Sequence, residues 1–243
     1  MTSTRTTRQT QHGAPPEQRR QAVPAGIERV LARMRALAEA LPPRDGVAVF
    51  NRVYLQVTQE VSQRVAAGEF ADRSATTELD VLFAGRYLAA VDRVAAGQRP
   101  PAAWRPLFRL RGHPAVAPLQ FALAGINAHI GHDLALSLVD TCRALDVEPH
   151  VLEADFERIG RLLTGMEERV REELMPGPDL LDAADPLTHL VGSWSLAAAR
   201  GAAWASFRTL WALKDKPDVA EEFADRIDSG VGLVGRCLLT PLG

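Results

Sequence analysis

Cysteine is nearly absent from this chain. Cys142 and Cys237 are the only two in 243 residues, far apart and outside any C-x-x-C pair. A disulfide framework and a thiolate zinc site are therefore excluded, and a reducing compartment is expected. Lysine is as scarce: Lys214 and Lys216 stand against 26 arginines, an imbalance that, with abundant Ala, Leu and Pro, reads as GC-rich coding. No charge sign dominates either. The 28 basic and 30 acidic side chains leave a formal charge of −2, without the basic footprint of a dedicated nucleic-acid binder. No apolar run reaches the roughly 18 residues a membrane helix needs. The first residues, Met1-Thr-Ser-Thr-Arg5 onward, hold no apolar stretch of the kind an export signal uses. A cytoplasmic protein without a membrane span is expected. Alternating β-branched runs and Asn-Gly turns are missing too, which argues against a sheet.

What is present is helical periodicity. Residues 1–24, rich in Thr, Gln, Pro and Arg, cannot bury enough apolar surface to offset their ordering entropy and read as a disordered tail. From residue 25 to 243 the spacing predicts one all-α domain of seven or eight helices. Ile27, Val30, Leu31, Met34, Leu37 and Leu41 repeat at 3–4 spacing until Pro42-Pro43 stops them. Asp45 opens a second helix that ends near Gly68, and a third runs from about Ala75 to Ala95 with Gly97 behind it. A short helix around Trp104 to Leu110 precedes a long one from about Val116 to Leu145. Glu148-Pro149 starts the next, which reaches Leu174. Asp185-Pro186 opens a helix to Leu213, and Pro217 starts the last, which ends near Cys237.

Two of these helices are too apolar to have a solvent face, so their polar groups must be paired or functional. Between residues 116 and 139 the polar members are Gln120, Asn127, His129, His132, Asp133 and Ser137. His129 and Asp133 stand four apart, a spacing at which the carboxylate orients the imidazole and makes it a candidate general base. Asn127 falls on the opposite side of the helix. In the second helix, His189, Ser193, Leu196, Arg200, Trp204, Phe207 and Trp211 share a face, so Arg200 is expected to stack on an aromatic while its fork meets an anion or an internal Asp. A third helix places Asp80 and Tyr87 on one otherwise apolar face, with Asp80 the natural partner of Arg200 if the helices meet.

Some strings look sharper than they are. Gly230-Val-Gly232-Leu-Val-Gly235 follows a helical run and not a strand, so it reads as helix packing and not as a dinucleotide site. His129-x-x-His132 with Asp133 has the residue types of a metal trio but lacks H-E-x-x-H and Glu-x-x-His spacing. No aspartate-rich D-D-x-x-D cluster and no G-x-S-x-G elbow occurs.

Three stretches carry a resemblance: Leu79-Asp80-Val81 with Phe83 and Arg86-Tyr87; Gly125-Ile-Asn127-Ala-His129-Ile130 with Asp133-Leu134; and Trp194 with Arg200, Ala203-Trp204 and Leu210-Trp211. Over about residues 26–240 the chain resembles a mainly actinobacterial all-helical family catalogued as a domain of unknown function. The resemblance implies a cytoplasmic helical domain in a lineage rich in specialised metabolism. It also implies that Asn127, His129, Asp133, Arg200 and Trp204 belong to one constellation, so either the helix distorts near Gly125 or Gly131, or Asn127 makes a separate structural hydrogen bond. No activity comes with it.

The expected function is a small-molecule enzyme of specialised metabolism that works without a cofactor on an apolar substrate, by cyclisation, isomerisation, lyase chemistry or hydrolysis. His129, Asp133 and Arg200 are the expected catalytic residues, and Asp80, Tyr87, Asn127 and Trp204 the expected substrate contacts. A non-catalytic binding or assembly protein with a buried polar network is the alternative, and a metal-dependent hydrolase using His129, His132 and Asp133 a third. A cavity of about 300 Å³ lined by His129, Arg200 and Trp204 would favour a ligand site.

Overall fold

A computed structural model describes residues 22–174, with side chains through Met166, and residues 194–241. Most of the predicted tail (1–21), the Pro-rich break after Leu174 and the positions of His189 and Ser193 lie outside the described residues. The described chain is all helical, with no strand: α1 (Ala25–Ala40), α2 (Gly46–Ala67), α3 (Arg73–Ala95), α4 (Arg105–Leu110), α5 (Pro118–Ala128), α6 (Leu134–Leu145), α7 (His150–Leu174), α8 (Leu196–Ala212) and α9 (Pro217–Leu238). The π-helical segment His129–Asp133 joins α5 to α6 in one continuous rod, so the described residues form eight helices. None of them is long and apolar enough to cross a membrane.

Local chemistry sets the boundaries. Asp45 caps α2 by accepting from the amides of Val47 and Ala48, and Gly68 closes it at φ 74°, a left-handed conformation that glycine adopts without strain. Gly97 does the same after α3, at φ 70°. Helix α8 departs from the expected start at Pro186. Residues 194–195 are not helical, and Ser195, at φ −125° and ψ 119°, caps the helix by accepting from the Ala198 amide. The local cap overrides the longer periodic run that the sequence suggests.

The rod formed by α5, the π segment and α6 runs through the interior. Its α5 half packs between α2 and α9, and its α6 half against α3 and α8. Phe50 of α2, Tyr87 of α3 and Trp104 interlock beside it, with Phe50 5.0 Å from Tyr87 and 5.3 Å from Trp104 between ring centroids. Each fully buried ring of this kind contributes roughly 1.5–3 kcal/mol. Glycines permit the closest approaches. A Cβ on Gly125 would sit 2.3 Å from the Phe50 ring, and one on Gly232 2.5 Å from the Ala102 carbonyl oxygen. The glycine string of α9 is thus a helix-packing device. Buried polar groups along the rod are mostly satisfied: Gln120 donates to the carbonyls of Leu238 and Thr240, and Ser137 to that of Asp133.

Candidate active site

The interior rod changes pitch where its chemistry lies. The Leu134 amide bonds to the His129 carbonyl, five residues back, in place of the usual four. Such one-turn π segments insert a residue into a helix and re-aim the side chains around it. Asn127, across the helix from His129, points elsewhere. Its Nδ2 donates to the Val231 carbonyl and ties the rod to α9.

Asp133 is the hub of the site. His129 Nδ1 lies 2.9 Å from its Oδ2, Trp104 Nε1 donates to the same oxygen at 3.0 Å, and His132 Nδ1 lies 2.7 Å from Oδ1. Burial works to raise the Asp133 carboxyl, but the hydrogen bonds from His129 and His132 outweigh it and hold the group below its ordinary value. An ionised carboxylate only accepts, so both histidines carry a proton on Nδ1. Burial pushes the His129 imidazole below its ordinary value of 6.5, against the pull of Asp133, so the ring is neutral at pH 7 with its lone pair on Nε2. That atom is buried and has no hydrogen-bond partner among the described residues. Phe83 stacks on the ring at 3.6 Å between centroids, and Tyr54 meets it edge-on at 4.4 Å.

His129 lines a cavity of about 140 Å³ between α2, α3, the rod, α7 and the start of α8. Its wall is almost wholly apolar (Phe50, Leu79, Phe83, Leu123, Ile130 and others), with His129, Tyr54, Asp80, Thr76 and Arg200 as its main polar members. Two further wall atoms lack partners among the described residues: the Tyr54 hydroxyl and Asp80 Oδ2. Burial lifts the Asp80 carboxyl to about 7. Burial, and then the nearby Asp80 carboxyl, raises the Tyr54 phenol well above its ordinary value, so it stays a donor. The wall thus includes a neutral imidazole, a carboxyl that retains its proton near neutrality and a phenol.

Arg200 also faces it, 7% exposed. Its guanidinium lies 4.1 Å from the centroid of the Phe156 ring and donates from Nη2 to the Phe156 carbonyl at 2.6 Å. The expected stacking on an aromatic is there, but on Phe156 of α7. The expected pair with Asp80 is not: both side chains line the cavity and no ion pair joins them.

The other predicted contacts sit behind the wall. Tyr87 is wholly buried away from the cavity and donates to Asn51, which in turn donates to the Met34 carbonyl. Trp204 packs on Phe156 and Phe207, at 4.6 and 5.1 Å, and supports the wall without forming it. The cavity is also smaller than the roughly 300 Å³ expected of a ligand site. The metal trio does not converge. His129 and His132 address opposite oxygens of Asp133 as donors, and among the described residues no group of three His, Cys, Asp or Glu side chains is placed to hold a metal ion. Sequence reasoning misses Tyr54 and the Trp104 bond. Tyr54 is within its reach, because Phe50, Val53, Tyr54, Val57 and Val61 trace one helical stripe that carries a lone phenol. Trp104 is not, since its 29-residue separation from Asp133 has no local signature.

No curated protein and no solved structure matches this chain. Residues 27–241 match the model of a family described as "Family of unknown function (DUF5995)", which spans the whole helical domain and all of the cavity wall. The chain belongs to that family.

Proposed function

We propose that this protein is a small-molecule enzyme in which His129 moves a proton to or from an apolar substrate held in the cavity. One combination carries the reading: His129 lines the cavity, its buried Nε2 has no partner among the described residues, and Asp133 holds Nδ1. A purely structural histidine satisfies both ring nitrogens, because a buried polar atom left unpaired costs about 1–3 kcal/mol. Asp133 is the positioning residue, fixing tautomer and ring plane. Asp80 is the proton donor and Tyr54 the hydrogen-bond donor to a substrate oxygen. Such a set suits isomerisation or cyclisation by proton transfer, a balanced exchange in which the base removes one proton and the acid returns another. It supplies no activated nucleophile. The size of the cavity sets the scale of the substrate, since voids of about 150 Å³ accept a benzene ring.

The non-catalytic alternative draws on a real feature: Asp133 joins His129, His132 and Trp104, and Asp228 accepts from the amides of Ala102 and Ala103, a network that fixes helix register in a binding protein equally well. Screening small unsaturated ketones, enol ethers and epoxides for conversion separates the two. The enzyme reading expects turnover that falls by roughly 10²–10⁴ in His129→Gln. Undiminished turnover in that variant, with the fold intact by circular dichroism, contradicts it.

A further inference from the structure

Arg200 is out of keeping with its surroundings. Its side chain is more than nine-tenths buried on an apolar cavity wall, yet no carboxylate of the described residues pairs with it. Among the described residues its hydrogen bond goes to a neutral carbonyl, Phe156 O, and leaves the rest of the guanidinium fork without a partner there. Glu157, an exposed residue, acts on it through charge but forms no ion pair with it. Asp80 shares the wall without reaching it. Buried charges are normally paired, because an isolated one forfeits its hydration with nothing in return. Room for the guanidinium is also built in. Gly160 of α7 lies against it, so that a Cβ there would come within 3.1 Å of Nη2 and 3.3 Å of Nε.

We propose that the cavity takes a small apolar carboxylic acid as its anion, with the carboxylate seated on Arg200 and the hydrocarbon part running toward His129. Arginine's planar fork is the group best matched to a carboxylate, and stacking on Phe156 holds that fork in one plane. The apolar wall accepts a single ring or a short alkyl chain and rejects a second charge. Among the described residues Arg200 is the one cation on this wall, which orients the molecule with its acid group there. This inference rests on the catalytic reading above for the identity of the substrate, but the binding itself does not require turnover.

Isothermal titration of the full chain tests it, with phenylacetate and hexanoate as probes and 2-phenylethanol and hexan-1-ol as their uncharged counterparts. Each acid is expected to bind at least about tenfold more tightly than its alcohol, the scale of one charge-assisted pair. Arg200→Gln is expected to bring the acid down to the level of the alcohol and leave the alcohol unchanged. Gly160→Ala, which crowds the guanidinium but removes no polar group, is expected to weaken the acid selectively, and it serves if Arg200→Gln fails to fold. Equal affinity of acid and alcohol, retention of acid binding in both variants, or no binding of either acid overturns the proposal. A failure of the catalytic reading shows elsewhere, in turnover that survives His129→Gln while acid binding through Arg200 persists.

Discussion

At the scale of single residues, the proposed chemistry turns on three buried polar atoms, of Tyr54, Asp80 and His129, that lack partners among the described residues. Asp80 makes a prediction that needs no substrate. Its folded carboxyl titrates near 7 against an ordinary value of 3.8, so between about pH 4 and pH 7 the unfolded chain has released a proton that the folded chain retains. Folding stability therefore falls as pH rises through that window, by an amount on the order of several kcal/mol. Asp80→Asn has no such proton to lose. Chemical denaturation across this pH range is expected to show the variant gaining on the wild type until about pH 7 and holding a constant lead above it. A pH-independent difference would mean that Asp80 meets water or an ion. Asp133→Asn should act through its neighbours: the amide cannot accept from three donors, so kcat is expected to fall with KM little changed and the acid limb of the pH–rate profile to move.

At the scale of elements, the two halves of the central rod show what a periodic sequence conveys and what it omits. The caps of α2 and the glycine beyond α3 are legible because each boundary is a local chemical event, an Asp side chain or a left-handed glycine. The apolar circumference of residues 116–139 likewise announces a buried helix with a problem to solve in its polar residues. The π turn is legible only as one of two readings, a distortion near Gly125 or Gly131. Nothing local distinguishes a five-residue backbone bond from a four-residue one, although glycines stand where neighbours press closest, Gly131 against Val231 and Gly125 against Phe50. The start of α8 misleads for the opposite reason, since one serine cap outweighs a long hydrophobic repeat. The close contacts yield a test. Gly232→Ala places a Cβ 2.5 Å from a backbone oxygen that Asp228 holds fixed through two amides. It should destabilise the fold by roughly 1–3 kcal/mol, measured by urea denaturation, although alanine is the better helix former. A neutral or stabilising effect would show that α9 and the segment before α4 can part.

At the scale of the whole molecule, the site exists only because helices distant in sequence converge on one cavity. Tyr54, Asp80, His129 and Arg200 come from α2, α3, the rod and α8. Their residue types and apolar settings can be read along the chain; their pairings cannot. Helical periodicity therefore matches Asp80 to Arg200, and sets Tyr87 and Trp204 on a wall they only support. The assembled site predicts a bell-shaped dependence of kcat/KM on pH. Activity should fall below the lowered value of His129 as the base is protonated, and fall again above about 7 as Asp80 loses its proton. Asp80→Asn should remove the alkaline limb.

All of this depends on the lone pair at one nitrogen. Long-range proton–nitrogen NMR of the histidine rings, with His129 assigned by comparison with His129→Gln, reports its protonation and tautomer directly. The expected result is a neutral ring at pH 7 with its proton on Nδ1 and an unprotonated Nε2, persisting below pH 6.5. A proton on Nε2, or an imidazolium at neutral pH, would contradict the assignment of His129 as the base.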